Sequence, residues 1–390
     1  MYKLRAKSNT VLIVLSFLSL LAFIAVENSK VDVKQDWYAE KLEAAQLSQL
    51  AANYLKNYRL EKGVFVDVIN DPNQTALIGQ EYTLVTTDRG YIEAKLSATN
   101  PNFAAVIVQL LKDAGLKDKD NVAVAMTGSF PGLNISVLAA LKTLNLRPII
   151  ISSVGASNYG ANDPFFTWLD MEDIFYKSNI FNSRSVAASI GGGADLGRGL
   201  SPEGRDLIVD AIQRNNIEFI NEKYLEKSIA RRMGIYEEYS GGQPIKAYIN
   251  VGGGIASLGN TINGKLIPPG LTEYLPMKNF PVRGVIVQMG QQDVPIIHLL
   301  NINQLLAKYG LPSSPVPLPE PGVGEIFVQK KYSMVVTGIA TLILIIVILF
   351  VYFSEKKHHQ LGTDPIPVSI NKKTNPESFR NDDTDDLPVV

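Results

Sequence analysis

Two stretches of the chain, residues 10–26 (TVLIVLSFLSLLAFIAV) and 333–353 (SMVVTGIATLILIIVILFVYF), are apolar without a single charge. A helix needs about 20 residues to cross a bilayer at ~1.5 Å rise each, so both predict membrane spans, the first at the short end of the range. A secretory signal would also combine the basic lead Lys3, Arg5 and Lys7 with an apolar run. The exit Phe23-Ile24-Ala25-Val26-Glu27 lacks a small-x-small cleavage site, so an uncleaved anchor is expected. Lys356 and Lys357 follow the second run, with Lys372, Lys373 and Arg380 beyond, while Lys330 and Lys331 count in the opposite sense. The positive-inside rule then places residues 1–9 and 354–390 in the cytoplasm and everything between the spans outside.

Between the spans the pattern changes character. In residues 33–59, Tyr38, Leu42, Leu47, Leu50, Ala51, Tyr54, Leu55 and Tyr58 recur at helical spacing, predicting an amphipathic helix, within a stalk of residues 27–63, that rises from the membrane and packs on the domain. Residues 64–310 then alternate short apolar runs with helical ones. An apolar run at 64–69 ends at Asn70-Asp71-Pro72, and Asn100-Pro101 opens a helix over 103–114 that Gly115 stops. A strand at 122–126, a turn at 127–132, a helix at 134–144 and a strand at 148–152 form a parallel unit. Two later strands, within 187–193 and 248–254, each end in three glycines, and Ser201-Pro202-Glu203 opens a helix to about residue 215. A last strand is expected at 284–288, followed by a helical stretch at 296–309. The expected fold class is α/β, a mostly parallel Rossmann-like sheet with helices on both faces, flanked by two transmembrane helices. Pro312, Pro315, Pro317, Pro319 and Pro321 make residues 311–332 an extended linker to the second span. The polar tail 354–390 reads as disordered.

Composition narrows the chemistry. The chain has no cysteine, which excludes thiolate zinc sites, iron–sulfur clusters and a cysteine nucleophile. A net charge of −1 argues against a nucleic-acid partner. No Gly-Lys-Ser/Thr exists to hold a triphosphate, and no cofactor is expected. Of three histidines only His298 lies outside the tail, so a multi-histidine metal site is excluded there, no metal is expected, and any Ser-His-Asp arrangement must use His298.

In an open parallel sheet, ligands bind at the carboxyl ends of the strands. Three glycine-bearing loops fit that position, giving Gly128, Ser129, Asn134, Gly191, Gly192, Gly193, Arg198, Gly252, Gly253 and Gly254 as ligand-binding candidates. Glycine lets backbone N–H groups approach an anion; the alternative is that the same glycines serve only to make tight turns. Arg198 and Arg205 either pair with a ligand or with Asp195, Glu203 or Asp206. Ser129 follows a strand as a nucleophile would, though outside a Gly-x-Ser-x-Gly setting. Asp163, Asp170 and Glu172 either serve as acid, base or cation ligands beside Phe166 and Trp168, or Asp163 caps a helix starting at Pro164 with Trp168 buried. Ser129, Asp163, Asp170 and Glu172 are thus the catalytic candidates, although independent catalysis is not the expectation.

Residues 126–134 (MTGSFPGLN), 153–157 (SVGAS) with 160–164 and 167–172, and 191–200 (GGGADLGRGL) together resemble the poly-gamma-glutamate system protein family of bacterial membrane-associated proteins. The resemblance covers most of the outer domain and the first span. It implies an accessory role in the synthesis or export of an anionic capsule or envelope polymer at the cytoplasmic membrane. The partners implied are the ligase and membrane subunits of a poly-γ-glutamate synthase, the polymer itself and the lipid bilayer. No catalytic residue carries over, and ATP-dependent ligation falls to a partner. The competing reading is an extracytoplasmic hydrolase or transferase acting on an envelope polymer.

Overall fold

A computed structural model describes residues 9–64, 66–276 and 279–361, with side chains through residue 353. The chain forms two compact units, residues 32–330 and residues 1–31 with 331–390. The second contains two helices long and apolar enough to cross a membrane, Asn9–Glu27 and Met334–Leu361. Their apolar side chains are left uncovered by protein, from Leu12, Phe17 and Phe23 to Ile339, Ile346 and Phe353. The later helix does not stop at residue 353, since its backbone stays helical through the polar residues to Leu361. The rest of the predicted tail, and the basic residues before position 9, lie outside the described residues.

Residues 32–330 are built on a seven-stranded sheet: β1 (Asn121–Thr127), β2 (Arg147–Ser153), β3 (Ser185–Ser189), β4 (Glu218–Phe219), β5 (Ile245–Val251), β6 (Gly270–Thr272) and β7 (Ile296–Leu299). Their order is β6-β7-β5-β1-β2-β3-β4, all parallel except β6, which runs antiparallel to β7. Alternation along β1 divides the core. Val122, Val124 and Met126 pack with Ile150, Ile249 and the helices Tyr38–Glu61, Phe103–Asp113 and Pro131–Thr143. Ala123 and Ala125 pack oppositely with Ile151, Tyr248 and the helices Leu225–Tyr239 and Val285–Gln291. With both faces covered, the central strand carries no exposed residue, as a parallel sheet requires.

Several sequence expectations change here. The stretch 284–309 reads in the opposite sense: Val285–Gln291 is a helix and Ile296–Leu299 is strand β7, followed by the helix Ile302–Tyr309. Both apolar runs are fully internal, so neither shows the one-sided periodicity that separates helix from strand. The expected helix over 33–59 begins only at Tyr38, after a strand Lys30–Lys34 and a left-handed Trp37. It packs on the domain through Ala44, Ala45, Ala51 and Leu55, which are core residues. The described residues of the apolar run 64–69 form no strand, and Ile69 is exposed. The proline-rich stretch, expected as an extended linker, is held against the domain, because the Asn102 side chain donates to the carbonyls of Glu320 and Val323, and Phe327 is buried.

Candidate functional site

The chain runs outward from β1 through β2, β3 and β4 on one side, and through β5, β7 and β6 on the other. The order therefore reverses between β1 and β5, and loops leaving their carboxyl ends part there to open a crevice. A cleft of 350 Å³ occupies this place, lined by Thr127, Ser129 and Phe130 after β1 and by Gly253 and Gly254 after β5. Ser153 and Ser157 after β2, Gly192 and Gly193 after β3, and residues 87–91 with Lys95 complete its wall. A second trough of 930 Å³ shares Tyr91, Ala94, Phe130, Thr261 and Leu300 with the cleft, extending it past β7 toward Lys265 and Asn301. A third cavity, 820 Å³ around Lys41, Asp113, Glu273 and Lys308, takes no residue from the strand-end loops.

The cleft's polar groups are of two kinds. The backbone N–H groups of Ser129, Phe130, Gly253 and Gly254 donate to no protein acceptor among the described residues. Thr127 Oγ1 is likewise buried without a partner. At Gly252 the backbone has φ +83°, and an added Cβ would lie 2.5 Å from Thr127 Oγ1, so only glycine brings the two loops this close.

Lys95, on the short helix Ile92–Ala98, is the cleft's buried cation. Its Nζ donates to the carbonyl of Ser129 and, at 2.7 Å, to Ser157 Oγ, and it sits 3.8 Å from the centre of the Phe130 ring. Burial pulls its ammonium down to about 7. Ser129 Oγ in turn accepts from the Ser157 N–H at 3.0 Å.

Beneath the β3 loop, Asp195 and Arg232 form an ion pair at 3.1 Å with side chains only 1% and 2% exposed. The guanidinium also donates to Ser189 Oγ and Ser153 Oγ, and Ser228 Oγ donates to the carboxylate. Asp195 is thus tied to Arg232, instead of to Arg198 or Arg205 as the sequence had allowed. It anchors the loop whose Gly192 and Gly193 face the cleft.

Of the residues singled out in the sequence, Ser129, Gly192, Gly193, Gly253 and Gly254 line this cleft. Gly128, Gly191 and Gly252 are buried behind it, and Arg198 is exposed on the outer side of its loop. Asn134 is buried and donates to the Thr127 carbonyl at 2.9 Å, fixing the end of β1. Asp163, Asp170 and Glu172 lie apart from the cleft. Asp163 sits in a small hairpin, accepting from the Phe165 N–H at 2.9 Å, and no helix starts at Pro164. The helix begins at Trp168, capped by Thr167 with Asp170 closing the capping box, and Asp170 also pairs with Arg214 at 2.6 Å. Trp168 is wholly buried. Glu172 accepts from the Ser185 N–H at 3.1 Å, and its burial pushes the carboxyl up to about 7. His298 is buried, with Nδ1 accepting from Asn250 Nδ2 at 3.0 Å; burial holds its imidazole down to about 4. No hydrogen bond joins it to Ser129 among the described residues.

Sequence reasoning missed Lys95, Ser157 and Arg232 as site residues. A signal for Lys95 existed, since Ile92 and Ala98 stand three residues to either side and carry it onto the helix's inward stripe. No family model, curated protein or solved structure matches the chain.

Proposed function

We propose that this protein is a membrane-anchored accessory subunit of a poly-γ-glutamate synthesis and export system, and that its strand-end cleft holds the anionic polymer. In this reading the two apolar helices are spans of a bacterial cytoplasmic membrane, both termini are cytoplasmic, and the α/β domain, taken as Rossmann-like, lies outside. Synthase ligase and membrane subunits are its partners. The observation that carries the binding role is that Ser129, Phe130, Gly253 and Gly254, whose N–H groups have no acceptor among the described residues, all line the switch-point cleft. Charge alone would not suffice, because Arg89 and Lys95 stand against Asp88 there, and Lys265 against Glu93 in the trough. Backbone donors accept carboxylates without requiring a strongly basic surface. The joined cleft and trough offer an extended path suited to a chain, edged by the exposed ring of Tyr91.

The test is binding of fluorescently labelled poly-γ-glutamate to the full chain in nanodiscs, read by anisotropy. Gly253→Ala is an informative variant, since its added Cβ meets nothing within 4 Å and places a methyl on a residue that lines the cleft without a clash. Saturable binding that weakens in Gly253→Ala supports the role. Absence of binding, or equal affinity in the variant, contradicts it.

A further inference from the structure

We infer that Ser157 and Lys95 form a nucleophile–base pair that opens an acyl bond, amide or ester, presented in the cleft. The polyamide substrate class rests on the polymer reading above, whereas the assignment of the nucleophile does not.

Four observations converge on the pair. Ser157 Oγ and Lys95 Nζ stand 2.7 Å apart, within direct proton-transfer reach, and both residues line the cleft. The Ser157 hydroxyl makes no other hydrogen bond among the described residues, so with a neutral amine its proton points into the Nζ lone pair. Among the described residues no carboxylate pairs with Lys95, so its burial, which favours the uncharged base, is opposed only by a carbonyl, a hydroxyl and an aromatic face. The N–H groups of Ser129 and Phe130, which flank the same cleft, remain for a developing oxyanion. Ser129, one of the catalytic candidates of the sequence, instead orients Ser157 by accepting its backbone N–H.

The chemistry balances without a further group. Ser157 Oγ bonds to the carbonyl carbon as its proton passes to Lys95 Nζ. The carbonyl's bond to nitrogen or oxygen breaks, and Lys95 returns the proton to the leaving amine or alcohol. Water then attacks the acyl-serine and gives its proton to Lys95, which passes it back to Ser157 Oγ as the carboxylic acid departs.

The first test is intact-mass analysis of the full chain in nanodiscs after treatment with a fluorophosphonate, in which serine displaces fluoride. A single adduct mapped to Ser157 is expected, forming faster as pH rises through about 7 and lost in Ser157→Ala. No adduct, or one on another residue, overturns the assignment. A second test holds should Ser157→Ala fail to fold. Because the chain has no cysteine, Ser157→Cys introduces a unique thiol whose iodoacetamide alkylation can be followed against pH. Lys95 should make that thiol at least tenfold more reactive at pH 7 than in the Ser157→Cys, Lys95→Met double variant. Matching profiles overturn the pair.

Discussion

The buried ion pair under the β3 loop allows a prediction with a worked magnitude. Asp195→Asn or Arg232→Met leaves one charge in a site where the native side chains are 1% and 2% exposed. Removing one member of a buried pair costs about 3–5 kcal/mol, because the survivor keeps its desolvation cost without its partner. The loss also weakens the hydroxyl network: Ser189 and Ser153 lose a donor if Arg232 goes, and Ser189 and Ser228 lose a charged acceptor if Asp195 goes. For a unit of about 300 residues, with ~2.1 cal/mol/K of unfolding entropy per residue, that cost lowers Tm by roughly 5–8 °C. The double variant Asp195→Asn, Arg232→Met removes both charges and should recover more than half of the loss, as a cycle for coupled residues requires. Scanning fluorimetry on the two buried-pair singles, the double and the native chain measures all four corners. Single-variant losses below about 1 kcal/mol, or a double variant as unstable as the sum of the singles, would refute the view that this pair anchors the loop.

Three further outcomes follow from the geometry. Gly252→Ala should destabilise by about 1–3 kcal/mol in urea unfolding, since it combines left-handed backbone with a Cβ 2.5 Å from Thr127 Oγ1. Glu172 holds its proton in the folded state up to about pH 7 but loses it near 4.5 when unfolded, so stability should fall as pH rises between those values. Glu172→Gln should flatten that slope and raise Tm at pH 8 but not at pH 4, and parallel curves for both proteins would contradict the assignment. Lys95→Met removes a charged donor from the cleft and should weaken poly-γ-glutamate binding by about tenfold at pH 6, where the native ammonium is charged, with little effect above pH 8.5.

How far the sequence alone carried the fold depended on whether a segment had one solution locally. The unit from β1 to β2 was legible because a short apolar run, a glycine–proline turn and a helical run follow one another, although the helix starts at Pro131, ahead of the expected Asn134. Ser201 was legible as a helix cap because Pro202 and Glu203 suit the first turn, and its Oγ does accept from the Gly204 N–H at 3.0 Å. The run 284–299 was not legible, since the apolar residues of helix and strand there are all buried, and the strand that forms is the one pairing with β5. At the site, the glycine loops announced themselves through composition. Lys95, Ser157 and Arg232 did not, because their importance lies in contacts between segments far apart in sequence: Lys95 with Ser157, Arg232 with Asp195.

Amide hydrogen exchange on the full chain in nanodiscs, with and without saturating poly-γ-glutamate, tests the binding role of the strand-end loops most directly. Protection is expected at the amides of Ser129, Phe130, Gly253 and Gly254, which lack protein acceptors in the free chain, with little change at the opposite edge of the sheet. Exchange at those four amides that is unaltered by the polymer, or protection confined to the cavity around Lys41 and Glu273, would contradict it.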